Sequence, residues 1–266
     1  MNIGFLITAR LKSTRLPNKI IMDLNGKTVI ERIIDRAKNV HNISTIVICT
    51  STHPQDRKLV DIAIKNNVYY FNGSEDDVLD RLLHAAELFE LDYFVGITAD
   101  NPLFSIHHSN LIVEQVQKNE YDFIKTNGLP LGSATYAIKK NALKVVCQVK
   151  NIIDTEIWGS LIDRPDIFNI KTIEVEKKYR KPEWRLTLDY EQDYQLMNAI
   201  YNHYKSDDVL HLLDVIQFLE AHEELLEINK NCIQRQLDER LQHKINQTFE
   251  QNLEKILEMK NQIYDT

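Results

Sequence analysis

A cluster of basic and hydroxylated residues follows the first apolar run of the chain. Ile3-Gly4-Phe5-Leu6-Ile7 leads through Thr8 to residues 9–19, which read Ala9-Arg10-Leu11-Lys12-Ser13-Thr14-Arg15-Leu16-Pro17-Asn18-Lys19. The guanidinium groups of Arg10 and Arg15 match phosphate oxygens bidentately, and Lys19 adds a point charge. The segment therefore predicts a polyphosphate site, and the alternative is a basic surface turn between a strand and a helix. Because it has no glycine and no GK[ST] sequence, it is not a Walker loop.

Two aspartates each follow a predicted buried strand. Asp100 comes after Tyr93–Thr98, and Asp189 ends the run from Trp184. Such carboxylates suit Mg²⁺, which is usually bound by one or two carboxylates together with substrate phosphates. The alternative role for each aspartate is to cap the helix that follows it. Beside a predicted polyphosphate site, binding of Mg²⁺ is the preferred interpretation.

These motifs resemble those of the cytidylyltransferases that activate acidic sugars, in particular the spore coat polysaccharide biosynthesis protein F-like group. The likeness extends over most of residues 1–205 through residues 9–19, 72–81, 96–103 and 187–193. It implies an enzyme that transfers CMP from CTP to an acceptor oxygen and releases pyrophosphate. Mg²⁺ would be held by Asp100 and Asp189. The catalytic residues implied by the resemblance are Arg10, Arg15, Lys19, Asp100 and Asp189.

The resemblance also implies which residues contact the nucleotide. In the family, small hydroxylated residues lie beside the nucleoside, and a segment like Asn72–Arg81 faces the nucleotide. Ser74 is also a good helix N-cap, so capping and recognition of a pyrimidine edge are compatible roles. The nucleotide-binding residues expected on this basis are Ala9, Arg10, Leu11, Ser13, Thr14, Arg15, Lys19, Thr50, Ser51, Gly73, Ser74 and Asp76.

The acceptor site is less well defined by the sequence. Lys125, Asn127 and Arg185 are polar groups near predicted strand ends, and they suit a small anionic or hydroxylated acceptor. Residues 154–160 offer no obvious counterpart to the family's acceptor segment. His107 and His108 are adjacent on a predicted helix, where neighbouring side chains point in different directions, so no shared metal site is expected.

The elements that position these residues alternate between short Val/Ile-rich strands and helices. This order is typical of parallel βαβ units, in which ligands collect at the carboxyl ends of the strands. With the family resemblance, it predicts an α/β fold of the Rossmann-like GT-A nucleotidyltransferase type, with a mixed, mostly parallel sheet over residues 1–205. Strands are predicted at 3–7, 45–49, 68–71, 93–98, 121–125, 134–138, 168–175 and 184–188. Helices are predicted at 28–38, 55–66, 76–88, 109–118 and 192–204.

Composition excludes several classes of protein. The net charge of −7 falls in residues 206–266, so residues 1–205 are neutral and lack the basic excess of a nucleic-acid binder. No run approaches the roughly 20 apolar residues of a membrane span, and no signal-peptide pattern begins the sequence. Cys49, inside a predicted strand, reads as a buried free thiol. We therefore expect a cytoplasmic protein without a nucleic-acid or membrane partner.

Residues 206–266 are predicted to form an acidic helical extension. Apolar residues recur every three or four positions from Ile233 to Ile263, which predicts one long helix from Asn231 with a single apolar stripe. Such a helix would run about 50 Å, more than the width of a small domain. The stripe needs a partner, so the sequence predicts a homodimer formed through this helix.

Two other functions fit part of the pattern. A glycosyltransferase that uses a nucleotide sugar has the same fold, but it expects an Asp-x-Asp motif, and Asp100-Asn101-Pro102 lacks the second aspartate. A non-catalytic nucleotide-binding assembly subunit would use the extension as its working part. The intact basic loop and the two aspartates favour the enzyme.

Overall fold

A seven-stranded mixed sheet forms the centre of the chain in the computed structural model, which describes residues 1–204 and 209–265. The strands of this part are β1 (Ile3–Thr8), β2 (Asp23–Leu24), β3 (Lys27–Thr28), β4 (Thr45–Ser51), β5 (Tyr69–Gly73), β6 (Tyr93–Thr98), β7 (Phe123–Asn127), β8 (Tyr136–Lys139) and β9 (Ile170–Glu174). The helices are α1 (Val29–Ala37), α2 (Arg57–Lys65), α3 (Val78–Leu88), α4 (Ile106–Lys118), α5 (Lys140–Val149), α6 (Gly159–Ile162), α7 (Glu191–Tyr204), α8 (Leu212–Ala221), α9 (Glu239–Gln251) and α10 (Leu253–Tyr264).

The sheet is mostly parallel, as predicted. Its order is β5-β4-β1-β6-β8-β7-β9, and β8 runs antiparallel to both of its neighbours. Strands β2 and β3 form a separate hairpin. In the centre of the sheet, Thr8 of β1 lies opposite Cys49 of β4 and Thr98 of β6. The carboxyl ends of these three strands are therefore level, and the segments that follow them meet at one edge of the sheet.

The core is divided by the sheet into two hydrophobic clusters. Phe5 and Ile7 belong to the first cluster and Leu6 to the second, because successive strand residues face opposite sides. The first cluster also contains Ile33 of α1, and the second contains Leu82 of α3. The central strand β1 is thus covered by helices on both sides, which holds its carboxyl end rigidly.

Side-chain caps fix where the helices around this edge begin. Thr28 and Glu31 form a capping box at α1, with Thr28 N–H donating to Glu31 Oε2 at 2.9 Å. At α4, the backbone N–H of His108 donates to Ser105 Oγ at 3.2 Å. The basic loop ends before α1 and the segment of Asp100 ends before α4, so both caps limit the freedom of the loops that precede them.

The predicted strand at 184–188 is wrong. Among the described residues, its ladder contact is an isolated bridge between Leu131 and Arg185. Leu131 N–H donates to Trp184 O at 2.8 Å, and Leu188 N–H donates to Asp100 O at 2.9 Å. The segment crosses the strand ends and bonds to several loops in turn, rather than lying along one strand. Its apolar residues, including Leu186, are buried all the same, which explains the strand-like pattern.

The predicted single helix at 231–263 is also wrong. The chain forms α9 and α10 with a break at Asn252, which lets each half follow the surface of the domain. Ile245, Phe249 and Ile256 are each 1% exposed and belong to the second hydrophobic cluster. Tyr264 Oη donates to Asp122 Oδ1 at 2.6 Å and ties down the end of α10.

This packing removes the argument for a homodimer, because the stripe is largely covered by its own chain. Homodimerisation stays a prediction without that support. The predicted boundary between residues 205 and 206 lies outside the described residues, although α9 and α10 share a core with the sheet. Within 1–204 and 209–265, no helix combines the length and the apolar character that crossing a bilayer requires.

Candidate active site

A cavity of about 580 Å³ opens where β1 and β6 end. Its walls come from the basic loop, the start of α3, the segment after β6, the segment before α6, and the chain beyond α8. The lining residues are Thr8, Arg10, Lys12, Ser13, Thr14, Arg15, Lys19, Ile20, Asp76, Val78, Arg81, Thr98, Ala99, Asp100, Asp154, Glu156, Trp158, Asp189 and Arg235. The cavity therefore joins the basic loop to both predicted metal-binding aspartates.

The basic loop is anchored from below by a buried aspartate. Leu11 N–H donates to Asp56 Oδ1 at 2.8 Å, and Ser51 Oγ donates to Asp56 Oδ2 at 2.5 Å. Asp56 is 1% exposed. These bonds fix the backbone at the start of the loop, so that Arg10 and the residues after Leu11 project into the cavity. Ser51 therefore acts beneath the loop and does not line the cavity.

Lys19 lies between the two carboxylates. Its Nζ is 2.7 Å from Asp100 Oδ2 and 2.6 Å from Asp189 Oδ1. Arg15 Nη2 adds a third contact, 2.8 Å from Asp189 Oδ1. Thr98 Oγ1 donates to the other oxygen of Asp100 at 2.6 Å. Residues separated by more than 150 positions in the sequence thus form one ionic cluster.

The charges of this cluster stabilise one another. Burial disfavours the charged forms of both Lys19 and Asp100, but the ionic contacts outweigh it. The neighbouring carboxylates hold the pKa of Lys19 above its usual value, and Lys19 holds the pKa of Asp100 below its usual value. Both groups are therefore ionised at neutral pH.

Asp189 is positioned by a second, buried layer of ion pairs. Arg185 Nη2 lies 3.2 Å from Asp189 Oδ2, and its Nε and Nη2 each donate to Asp193 at 2.9 Å. Asp193 also accepts the backbone N–H of Asp189 at 2.9 Å and of Tyr190 at 3.0 Å. Asn229 Nδ2 donates to Asp193 Oδ1 at 2.8 Å. Arg185, which does not line the cavity, thus holds Asp189 in position.

We expect Asp193→Asn to lower the free energy of unfolding by about 3 kcal/mol or more, because it leaves the buried Arg185 guanidinium without a full counter-charge. Asp193 is 0% exposed. Glu191→Gln, in the exposed first turn of the same helix, is the control and should change the free energy by about 0.5 kcal/mol at most. Urea unfolding measures both. Equal, small effects would mean that Asp193 does not support the site.

Arg10 and Lys12 contact the other side of the cavity. Arg10 Nη1 donates to Glu75 O at 2.6 Å and lies 3.6 Å from Asp76 Oδ1. Lys12 Nζ is 2.8 Å from Glu75 Oε1. Side chains of the basic loop are therefore bound on both sides of the cavity, by Asp100 and Asp189 on one side and by the segment before α3 on the other.

The structure brings together some of the predicted site residues and leaves others away from the cavity. Among the predicted nucleotide-binding residues, Arg10, Ser13, Thr14, Arg15, Lys19 and Asp76 line it, whereas Ala9, Leu11, Thr50, Ser51, Gly73 and Ser74 do not. Ser74 was predicted to cap α3, but the N-cap is Asp77, whose side chain accepts the N–H of Asp80 at 3.1 Å. Ser74 Oγ accepts the N–H of Asp77 at 3.1 Å in the turn before the helix. A nucleotide contact for these residues stays a prediction.

The predicted acceptor residues lie outside the lining of the cavity. Lys125 forms an ion pair with Asp163, and Asn127 Nδ2 donates to Glu174 Oε1 at 2.9 Å. Arg185 is occupied by the carboxylates behind the site. Their role in acceptor binding stays a prediction, and the structure gives each of them a partner of its own.

Several residues that line the cavity were not predicted from the sequence. Asp154, Glu156 and Trp158 come from the segment for which no role was found, and Arg235 comes from the predicted extension. Arg81 of α3 is 0% exposed, and its Nε and Nη2 have no hydrogen-bond partner. Nη1 of Arg81 donates to Ser74 O, but the two nitrogens without a partner are donors that a ligand at this cavity wall can use. The signal for Arg81 was its place one helical turn after Asp77, at the start of a helix next to the site.

The carboxylates of Asp100 and Asp189 fit a bound Mg²⁺. The ammonium group of Lys19 already bridges one oxygen from each, so the two side chains converge on a single cation. Hard carboxylate oxygens beside open space for phosphate are the donor set that Mg²⁺ prefers. These two residues would hold the metal once Lys19 has moved to the phosphates.

Two other groups named in the sequence lie outside the lining of the cavity. His107 and His108 were expected to point apart, but both rings reach Glu176, at 3.1 Å and 3.0 Å. The ligand atoms of His107, His108 and Glu176 all lie within 4.8 Å of one another, so the geometric argument against a shared metal site does not hold. Burial raises the pKa of the Cys49 thiol to about 12, so Cys49 is the predicted inert core thiol.

The α/β fold and a cavity that joins Arg10, Arg15 and Lys19 to a carboxylate pair are the features expected of a nucleotidyltransferase. Comparison with protein families identifies which one. The chain belongs to the cytidylyltransferase family, whose model matches residues 5–263. This membership supports neither the glycosyltransferase nor the non-catalytic alternative.

The chain is also similar to individual proteins of known name and to a solved structure. Spore coat polysaccharide biosynthesis protein SpsF of Bacillus subtilis is 26% identical over 207 residues, which cover 75% of this chain and 86% of SpsF. A 3-deoxy-manno-octulosonate cytidylyltransferase of Koribacter versatilis is 27% identical over 143 residues, which cover 53% of this chain and 52% of that protein. The structure of a cytidylyltransferase from Leptospira borgpetersenii has the same fold, with a TM-score of 0.80 at 23% identity, and covers 89% of this chain and 100% of its own.

Proposed function

We propose that this cytidylyltransferase transfers CMP from CTP to a hydroxyl oxygen of an acidic sugar or a related precursor of a surface polysaccharide, and releases pyrophosphate. The observation that carries the proposal is the position of Lys19, between the carboxylates of Asp100 and Asp189 and within a cavity that Arg10 and Arg15 also line. The relatives support the choice of acceptor, since one is named for spore coat polysaccharide synthesis and another for an acidic sugar.

In the proposed reaction, the acceptor hydroxyl oxygen attacks the α-phosphorus of CTP. The new bond joins this oxygen to phosphorus, the bond from the α-phosphorus to the bridging oxygen breaks, and the hydroxyl proton passes to solvent. Arg10, Arg15 and Lys19 neutralise the charge that develops on the departing pyrophosphate. Because the groups are held by the sheet edge, catalysis rests mainly on positioning and charge stabilisation.

Lys19 has a specific task in this proposal. In the nucleotide-free chain it neutralises Asp100 and Asp189, and on nucleotide binding its ammonium group transfers to phosphate oxygens. A Mg²⁺ ion held by the two freed carboxylates would supply positive charge that stabilises the phosphate and lowers the pKa of the acceptor hydroxyl. The protein thereby keeps the carboxylates paired at every stage, which avoids a buried uncompensated charge.

Release of pyrophosphate tests the proposed reaction. The protein is incubated with Mg²⁺, CTP and a panel of sugar acids, and neutral sugars of the same size are the control. We expect pyrophosphate with at least one acid and none with the neutral sugars. Release with every sugar would contradict an acidic acceptor, and release with none of a broad panel would contradict the proposed reaction.

The second expected result is a preference for CTP over other nucleotides. A site that forms hydrogen bonds with one base rejects analogues that leave its buried donors unpaired, and Arg81 offers two such donors at the cavity wall. Calorimetric titration with CTP, UTP, ATP and GTP in the presence of Mg²⁺ measures this preference. Tighter binding of either purine nucleotide would contradict it.

A further inference from the structure

Residues 232–238, here named the C-terminal strap, pass along the cavity without forming a helix or a strand. Two bonds attach the strap to the catalytic side of the molecule. Tyr190 Oη donates to Ile233 O at 3.1 Å, and Arg185 Nη1 donates to Gln234 Oε1 at 2.9 Å. Because Arg185 contacts both Gln234 of the strap and Asp189, it connects the strap to the carboxylate pair.

Arg235 is the strap residue that lines the cavity. Its Nη1 is 2.9 Å from Glu156 Oε2, while the other oxygen of Glu156 lies 3.9 Å from Arg10 Nη2. The side chains of Arg235 and Glu156 are 57% and 48% exposed. An ion pair with this much solvent contact contributes little to stability, so the guanidinium is easily transferred to another anion.

The surroundings of Arg235 favour an anionic ligand. The cations Arg10, Lys12 and Arg81 line this side of the cavity together with Asp76, Asp154 and Glu156, and Arg235 is a further cation that the extension adds there. Lys19 and Arg15, in contrast, lie at the opposite side with Asp100 and Asp189. A planar guanidinium at a cavity wall is suited to bidentate binding of a carboxylate or a phosphate.

We propose that Arg235 is a substrate-binding residue, which leaves Glu156 and binds an anionic oxygen group of the bound substrates. The group is either the carboxylate of the acceptor or a phosphate of the nucleotide. Glu156 then acts as a competitor that occupies the guanidinium until substrate arrives. This inference rests on the proposed function. It gives the extension, which already contributes to the hydrophobic core, a second role in binding substrate.

Four single variants of the full chain test the inference. Arg235→Gln removes the charge, and Arg235→Lys keeps the charge but loses the bidentate geometry. Glu156→Gln removes the competitor. Arg240→Gln is the matched control, because Arg240 is exposed on α9 and does not line the cavity. For each variant, calorimetry gives the dissociation constants of Mg²⁺–CTP and of pyrophosphate, and steady-state kinetics gives KM for the acceptor and kcat.

We expect Arg235→Gln to weaken the binding of one substrate roughly tenfold or more, with a smaller effect on kcat. Arg235→Lys should have part of this effect, Glu156→Gln should tighten binding, and Arg240→Gln should behave like the wild type. A higher KM for the acceptor with unchanged nucleotide affinity identifies the carboxylate as the ligand. Weaker binding of Mg²⁺–CTP and pyrophosphate identifies the phosphate.

If Arg235→Gln and Arg240→Gln give the same constants, the inference is overturned while the proposed function stands. If the wild type releases no pyrophosphate from CTP but binds CTP or pyrophosphate in a way that depends on Arg235, the proposed reaction fails and the anion site stands. If the wild type binds none of these anions, both are overturned.

Discussion

Asp100→Asn is expected to lower the rate of pyrophosphate release roughly a hundredfold or more, because it removes one of the two carboxylates that would hold Mg²⁺ in the proposed mechanism. The substitution keeps the shape of the side chain, and its amide oxygen can still accept the bond from Thr98. With a side chain that is 22% exposed, Asp100 also contributes little to the core. The variant should therefore fold normally and fail in turnover.

Circular dichroism and urea unfolding confirm that the variant is folded, and pyrophosphate release gives the rate. Asp61→Asn is the matched control, because Asp61 is an exposed carboxylate on α2, away from the cavity. It should keep the wild-type rate. A folded Asp100→Asn protein with near-normal turnover would remove Asp100 from the proposed mechanism.

Lys19→Gln is expected to have two opposite effects. It should lower turnover by a factor similar to that of Asp100→Asn, since a cation that binds the leaving phosphates is lost. In the nucleotide-free protein, however, it should tighten the binding of a divalent cation roughly tenfold or more, because Asp100 and Asp189 lose the ammonium group that lies between them. In the proposed mechanism, Lys19 and a metal ion compete for the same carboxylate oxygens of Asp100 and Asp189.

Binding of Mn²⁺ to the nucleotide-free protein, followed by electron paramagnetic resonance, measures the second effect without any turnover. Lys12→Gln is the control for metal binding: it removes the same charge from the same loop, but Lys12 pairs with Glu75 and not with the two aspartates. Its Mn²⁺ affinity should stay close to that of the wild type. Weaker Mn²⁺ binding in Lys19→Gln would show that the carboxylates do not form the metal site.

The half of the site that contains these residues was predictable from sequence. The loop, Asp100 and Asp189 each follow an apolar run, and the carboxyl ends of neighbouring parallel strands lie at one edge of a sheet. Thr8 and Thr98 are register partners in the structure, which is why the segments after them meet. Asp189 lies beside Asp100 as expected, although the run before it is not a strand, because that run still ends at the same edge of the sheet. Its metal-binding role stays a prediction.

The other half could not be predicted from the sequence. Glu156 and Arg235 are 79 residues apart. Glu156 lies in a segment without helical or strand periodicity, and Arg235 lies where the sequence predicts a helix that does not form. Nothing in the spacing of such residues shows that they will meet, since their positions depend on how α9 packs on the sheet. The break at Asn252 was hidden for a related reason. The apolar spacing continues through it, and only the curvature of the domain surface requires two helices.

The ion pair between Arg15 and Asp189 determines when, during synthesis of the chain, the proposed nucleotide site can form. The two residues are 174 positions apart. At about 5–20 residues per second, a ribosome needs roughly 10 to 35 s to make the intervening chain. Throughout this interval the basic loop has been made without its second carboxylate partner, and Arg235 follows later still. The proposed nucleotide site is therefore incomplete until Asp189 and Arg235 have been made, and the stabilisation that a ligand gives to a folded protein becomes available only after that point.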